Sequence, residues 1–374
     1  MKLTIERGAL LLALGHVQSV VERRNTIPIL SNVMLDARDG ALNLTATDMD
    51  IAIVESVVAE VASPSAITAP AHTLYDIVRK LPEGAQIGLE TDAEANQLHL
   101  NAGRARFRLG TLDTVEFPAM SDGELPHGFS VSAADLRALI DRTRFAISME
   151  ETRYYLNGIY LHAVTGEGDR GDVLRAVATD GHRLALVEIP LPQGAESMPG
   201  VIVPRTTVLE LRKLIDETGG EIDVALSDTK IRFSFDDAVL TSKLIDGTFP
   251  DYQRVIPSGN DKTMEVDRRN FAAAVDLVAT IATEKSRAIK LSVDKGSLAL
   301  SATSPDAGSA EEEIEANYDG ESLKIGFNSR YLLDIAQQIE GDTARFVMAD
   351  PGSPMIIRDA SDDSALYVLM PMRV

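Results

Sequence analysis

The sequence predicts an α+β fold made of three repeated units, each with two helices packed on a mostly antiparallel sheet. Three observations predict it. A strand-to-helix opening occurs three times, as Leu3–Leu10, Phe129–Leu136 and Met264–Phe271, with offsets of 126 and 135 residues at Ile5, Val131 and Val266. A second strand-to-helix step recurs at Pro70, Pro204 and Asn328, with offsets of 134 and 124. Between these helices lie the matching runs Leu42–Thr47, Leu174–Thr179 and Leu298–Thr303, which alternate apolar and polar residues with the period of a half-buried strand.

Local chemistry supports each element in turn. Pro70 and Pro204 stand where a helix begins, the position that tolerates a missing N–H, and Asn328 is a side-chain cap for the third. Turn-forming residues at Asp122–Pro126 and Pro257–Asp261 separate the copies, which gives domains at 1–122, 128–256 and 262–374.

Composition narrows the class. Apolar residues make up 45% and charged residues 25% of the 374-residue chain, ordinary for a globular protein with enough core to offset its chain entropy. The absence of cysteine excludes disulfides, thiolate metal sites and cysteine nucleophiles, and it suits a reducing cytosol. The N-terminus lacks a signal-peptide pattern and no apolar run approaches the roughly 20 residues of a membrane span, so a cytoplasmic location is expected. The net charge of −21 argues at first against nucleic acid. Its distribution changes that reading: the helical segments 7–24, 71–81, 132–144, 204–217, 267–287 and 328–340 together carry +4, leaving −25 on the rest. A mildly positive helical surface in an acidic body suits contact with DNA on one face. Few phosphate contacts also keep binding weak enough to slide.

Enzyme motifs are incomplete. Asp180-Gly-His182-Arg183 has the look of a catalytic cluster, but no nucleophile elbow or His-Glu-x-x-His helix accompanies it. The six histidines are scattered without metal-ligand spacing. Gly166–Gly171 matches the dinucleotide fingerprint, yet the residues after it read as a strand, so a hairpin is expected there. Ser292-x-x-Lys295 falls inside a strand and turn. Neither catalysis, a cofactor nor a metal is expected, and a repeat-built scaffold without DNA contact is the other alternative.

Five stretches, Thr26–Leu30, Arg153–Gly158, Ala178–Ala185, Thr241–Tyr252 and Tyr367–Val374, together closely resemble the beta subunit of bacterial DNA polymerase III, the beta sliding clamp, in order and from end to end. The resemblance implies three clamp domains per chain and two chains closing head to tail into a six-domain ring around duplex DNA, with helices lining the hole. It implies DNA contacts at Arg24, His72, Glu150, Tyr154 and Tyr155, with His72 in place of an arginine, Glu150 in place of a glutamine, and Arg23 beside Arg24.

It further implies one partner-peptide pocket per chain, formed by Leu156, Thr179, Gly181, His182, Arg183, Leu184, Pro250, Arg254, Val255, Val368, Leu369, Met370, Pro371, Met372 and Arg373. A small polar residue is the family's pattern where Pro354 stands. The pocket's users would be the clamp loader, replicative and translesion polymerases, and other proteins with clamp-binding motifs. Leucine, methionine and proline suit an adaptable groove, and arginines at its rim suit the polar part of a linear motif.

Ring closure needs two different sticky edges. Arg104, Arg106 and Arg108 fall on one face of one predicted strand, and Glu311, Glu313 and Glu315 on one face of another. Phe107 and Ile314 are on the opposite faces, and Ile281 joins the expected interface. Opposite charges across paired edges favour this partner over self-pairing.

Overall fold

The computed structural model describes residues 1–23, 26–92, 94–118, 120, 123–166, 171–216, 219–282 and 287–373. Its first repeat runs β1 (Lys2–Glu6), α1 (Arg7–Val17), β2 (Asn32–Arg38), β3 (Ala41–Thr47), β4 (Ile51–Val58), β5 (Glu60–Ser63), β6 (Ser65–Pro70), α2 (Ala71–Lys80), β7 (Gln86–Asp92), β8 (Gln97–Ala102) and β9 (Ala105–Gly110). The second runs β10 (His127–Ser132), α3 (Ala133–Asp141), β11 (Gly158–Val164), β12 (Val173–Thr179), β13 (Arg183–Pro190), β14 (Val201–Pro204), α4 (Arg205–Ile215), β15 (Glu221–Leu226), β16 (Lys230–Ser234) and β17 (Ala238–Lys243). The third runs β18 (Lys262–Asp267), α5 (Arg268–Ala279), β19 (Ala288–Asp294), β20 (Ser297–Ser304), β21 (Gly308–Glu315), β22 (Leu323–Asn328), α6 (Ser329–Ala336), β23 (Thr343–Met348), β24 (Met355–Asp359) and β25 (Ala365–Leu369).

The helices start where side chains satisfy their unpaired N–H groups. Glu6 accepts from the Ala9 amide, Asp267 from Asn270 and Asn328 from Arg330. Burial follows helical spacing: Leu10, Ala13, Leu14 and Val17 of α1, and Phe271, Ala274, Val275 and Val278 of α5, are the stripes that face the sheets. Strands β3, β12 and β20 alternate buried and half-buried residues over much of their length, as the sequence pattern requires. The Gly166–Gly171 stretch joins antiparallel β11 and β12, with Val164 opposite Val173, so it is a hairpin; residues 167–170 lie outside the described ones.

By packing, the chain forms two compact units: Met1–Leu136 with Pro192–Pro199 and Thr206–Leu244, and Arg137–Leu191 with Gly200–Arg205 and Ile245–Val374. Each unit holds two sheets. The first has a five-stranded sheet, β5-β1-β7-β8-β9, and an eight-stranded one, β10-β15-β16-β17-β4-β3-β2-β6. The second has an eight-stranded sheet, β14-β11-β12-β13-β25-β24-β23-β18, and a four-stranded one, β21-β20-β19-β22. Repeats and sheets are therefore out of step. Each eight-stranded sheet takes four strands from one repeat and four from the next, joined in antiparallel register at β4–β17 and at β13–β25. Among the described residues no helix is long and apolar enough to cross a membrane.

Candidate functional site

A cleft of about 210 Å³ opens in the second unit where β13 meets β25. It is lined by Leu156, Thr179, Gly181, Arg183, Leu184, Pro250, Asp251, Tyr252, Val255, Val368 and Met370. Leu184 and Val368 face each other across the ladder, and with Leu156 and Tyr252 they top a buried cluster that includes Val177, Leu186, Ile202, Phe249, Ile356 and Leu366. The floor is thus the roof of a core and deforms little. The rim is exposed: Val255 is 50% and Met370 44% accessible, apolar area left in water on a folded chain.

The walls are fixed by local bonds. Asp180 accepts from the amides of His182 (2.9 Å) and Arg183 (3.0 Å), closing a tight turn in which Gly181 has φ +88°. Thr179 donates its hydroxyl to the Arg183 carbonyl at 2.7 Å. Tyr252 is held from below, its hydroxyl accepting from Arg175 at 2.7 Å and lying 3.0 Å from His162 Nε2. Burial pushes the His162 pKa down, favouring the neutral ring.

Nine of the expected pocket residues line this cleft and six do not. Leu369 is fully buried, because alternation along β25 turns it away from Val368 and Met370. The Met372 amide donates to the Gly326 carbonyl at 2.9 Å, which seats the C-terminal tail on β22; Pro371 precedes it and Arg373 follows, exposed. The His182 ring stacks on Tyr331 while its carbonyl accepts from Met370. Arg254 is exposed and paired with Asp251 at 2.7 Å. The Pro354 carbonyl accepts from Asn260 at 2.9 Å, outside the lining. Asp251 and Tyr252 line the cleft without having been assigned to it, although both lie in the Thr241–Tyr252 motif.

Arg183 requires a correction. It was expected as a rim cation for a peptide, but its side chain is only 9% exposed. Its guanidinium is committed inward, to Asp334, to Asp180 at 3.1 Å and to the Phe145 carbonyl at 2.6 Å, with Tyr331 beneath it at 4.3 Å. It stiffens the wall.

The residues expected to meet DNA have diverse surroundings. Arg24 lies outside the described residues, and Arg23 is exposed. The half-buried His72 uses Nε2 on the Val21 carbonyl at 2.8 Å, and its Nδ1 is buried. Glu150 pairs with Arg153 at 2.6 Å, and that bond holds the exposed carboxyl below its usual pKa. Tyr154 and Tyr155 sit on a short 3₁₀ turn, Glu151–Leu156, in edge-to-face contact at 5.7 Å. Tyr154 is 54% exposed, whereas Tyr155 packs on the core cluster.

The charged strands are both sheet edges. On β9, Arg106 and Arg108 are exposed and Phe107 is half-buried; Arg104 lies in the preceding turn, not in the strand as expected. On β21, Glu311, Glu313 and Glu315 point to one side and Ile314 to the other. Beside it a hollow of about 390 Å³ separates α5 from the edge, with Leu277 60% exposed at its lip. Ile281 is half-buried just beyond α5.

Three family models cover most of the chain: the DNA polymerase III beta subunit N-terminal domain at residues 1–121, its central domain at 130–251 and its C-terminal domain at 253–373. The chain is 55% identical to a beta sliding clamp of Caulobacter vibrioides over 374 residues, covering all of both. A crystal structure of the Caulobacter crescentus beta sliding clamp matches with a TM-score of 0.97 at 55% identity, over 100% of this chain and 99% of that one. A Bartonella birtlesii sliding clamp, solved bound to griselimycin, matches with a TM-score of 0.97 at 50% identity over the full length of both. With three matching domains in order and the strand scheme described above, the chain belongs to the DNA polymerase III beta subunit family, the beta sliding clamps.

Proposed function

We propose that the chain is a non-catalytic processivity factor of the cytoplasm: two copies close head to tail into a ring that encircles duplex DNA and tethers polymerases to it. Domains at 1–122, 128–256 and 262–374 would give that ring six domains. The observation that carries the reading is the pair of unfinished sheets. Within the chain, the fourth strand of one half-sheet (β17 or β25) pairs with the third strand of another (β4 or β13). The remaining members of those two classes are β9 and β21, both edges. Pairing β9 of one copy with β21 of the other would join a five-stranded and a four-stranded sheet at each of two interfaces.

The repeat also supplies a register. Successive ladders carry Leu3 through Leu89 and Leu100 to Phe107, as they carry Phe129 through Val224 and Phe233 to Leu240. Leu240 faces Ile53, whose counterpart on β21 is Ala310, since Ala46–Ile53 matches Ala302–Ala310. Phe107 then faces Ala310, which sets Arg106 against Glu311 and Arg104 against Glu313. Exposed ion pairs contribute only about 0–1 kcal/mol each, so they select the register while main-chain bonds and apolar contacts hold it.

Duplex DNA would meet the relatively basic helices without sequence preference. Arg23, Arg24 and Tyr154 are the contacts the reading favours. His72 would act by bracing the Val21 carbonyl and so the segment that carries the arginines. The Leu184–Val368 cleft would take the linear motifs of the clamp loader, replicative and translesion polymerases, and other partners in turn.

The test is retention on DNA after loading by the ATP-dependent loader. Loss on linearising a circular template is expected. Equal retention on both forms would mean ordinary binding, and nucleotide turnover by the chain alone would favour an enzyme.

A further inference from the structure

The cleft beside Leu184 and Val368 rests on a polar network that the sheet itself does not require. His162, Arg175 and Glu188 stand in one row of the ladder across β11, β12 and β13. The same row in the first repeat is Asp36, Asn43 and Ser56, and in the third it is Ser292, Ala299 and Glu313. The ladder forms twice without an imidazole or a guanidinium at these places, so their burial, which costs solvation, serves something other than the strands.

What they hold is Tyr252. This residue opens the short 3₁₀ turn Tyr252–Val255 and lines the cleft together with Pro250, Asp251 and Val255. Arg175 Nη1 donates to the Tyr252 hydroxyl at 2.7 Å, and Arg175 Nε donates to Glu188 at 2.7 Å. His162 Nε2 lies 3.0 Å from the same hydroxyl, and its Nδ1 lies 3.3 Å from the Ala163 carbonyl. The rings close a circuit: His162 stacks on Tyr160 at 4.6 Å, Tyr160 on Phe249 at 4.9 Å, and Phe249 meets Tyr252 edge to face at 6.4 Å.

Hydrogen-bond capacity fixes where the protons lie. A guanidinium only donates, so the Tyr252 oxygen accepts from Arg175 and sends its own proton to His162 Nε2, with Nδ1–H toward Ala163. That arrangement needs the neutral ring, which burial favours. A protonated ring would present a second N–H to the Tyr252 oxygen, take away the acceptor of the hydroxyl proton and set a second cation against Arg175. Glu188 already bonds to Arg175, Asp251 and Arg254 of the turn pair with each other at 2.7 Å, and β14 carries no charged side chain.

We infer that His162 is a proton switch beneath the cleft: its neutral ring completes the bond that seats Tyr252, and its protonation loosens that wall and weakens the grip on a partner peptide. The consequence for peptides rests on the reading of the cleft as a partner site, whereas the seating of Tyr252 does not. Because coupling is reciprocal, a bound peptide must in turn hold the ring neutral and lower the pH at which it titrates.

The full chain, labelled at its histidine and tyrosine rings and methionine methyl groups, is titrated with acid by NMR, alone and with end-blocked hexapeptides that carry leucine and phenylalanine at varied spacing. His162→Gln and Tyr252→Phe assign the two rings, and Met370 reports occupancy of the cleft. The Tyr252 ring is expected to shift in step with the His162 titration. Peptide should lower the His162 midpoint by about half a pH unit or more, equivalent to a roughly threefold weaker grip by the protonated form. That response should vanish in Tyr252→Phe, which keeps the ring and removes the hydroxyl. The fall in peptide affinity toward acid should be smaller in His162→Gln, whose amide accepts the hydroxyl proton without titrating, while His182 is present in both chains. A His162 midpoint that stays fixed while Met370 shifts, or that moves equally in Tyr252→Phe, overturns the switch. A Tyr252 ring indifferent to the His162 titration overturns it too. Met370 unmoved by every peptide, with the Tyr252 ring still following His162, sinks the cleft's partner reading and upholds the switch at Tyr252.

Discussion

The two eight-stranded sheets share one strand order and one ladder register but differ in what fills the junction between repeats. At β13–β25 the facing residues are Leu184 and Val368, over a closed core; at β4–β17 they are Ala52 and Thr241, beside a groove of about 560 Å³. Backbone pairing therefore sets the architecture, and side-chain volume at a few rows decides where it presents a cleft. The same logic extends to the edge strands β9 and β21, where the proposed ring would supply the missing rows from another copy.

The largest effect is expected at those edges. Changing Arg104, Arg106 and Arg108 to Glu places like charges across the join, and sedimentation should show monomers, with the dimer dissociation constant raised at least a hundredfold. Adding Glu311→Arg and Glu313→Arg should restore the dimer. An intact dimer from the triple variant removes these strands from the interface.

Next come the junction residues. Leu184→Ala should cost about 2–5 kcal/mol in denaturant unfolding, because its surroundings are too well packed to collapse. Ala52→Leu, the reciprocal change, should cost less than about 1.5 kcal/mol, since the groove has room for the added atoms. Equal costs would mean that the two junctions are packed alike.

This contrast marks how far the sequence could be read. The repeat, the helix starts at Pro70, Pro204 and Asn328, and the charged edge strands all rest on neighbours within a few residues, so pattern alone exposes them. Sheet sharing between repeats does not, because which strands join depends on partners more than a hundred residues away, such as Val54 and Val239. Arg183 was misread for the same reason. Its acceptors, Phe145 and Asp334, come from distant stretches, and only the folded chain shows that its charge is already spent. Tyr252 was passed over as part of a motif because its place above Arg175 and His162 is likewise a tertiary fact.

A smaller effect separates the turns beside the two junctions. Gly181 has φ +88°, and its counterpart Met49 has φ +78°, a conformation that costs a side chain about 1 kcal/mol. Met49→Gly should stabilise by about 0.5–1 kcal/mol. Gly181→Ala should destabilise by more, because a Cβ there lies 2.5 Å from Arg153 Nη1. If Met49→Gly destabilises instead, the methionine has packing value that offsets its strain.

The smallest expected effect is pH-dependent. His162 has its folded pKa lowered by burial, so the unfolded chain binds the extra proton first as pH falls through 6.5. Stability of the second unit should decline from that point toward acid, and His162→Gln should flatten the decline. Asp36 stands at the corresponding place in the first unit, so no imidazole occupies that position there. An unchanged slope in the glutamine variant assigns it to other groups.

The head-to-tail pairing of β9 with β21 is open to a direct measurement, because the chain contains no cysteine of its own. A variant with Arg106→Cys and Glu311→Cys, oxidised under mild conditions, should run as a covalent dimer without reductant and remain on circular DNA once loaded. Arg106→Cys with Glu312→Cys, one residue out of register, should cross-link poorly. Monomers from the first variant, or equal cross-linking in both, would contradict the pairing on which the ring depends.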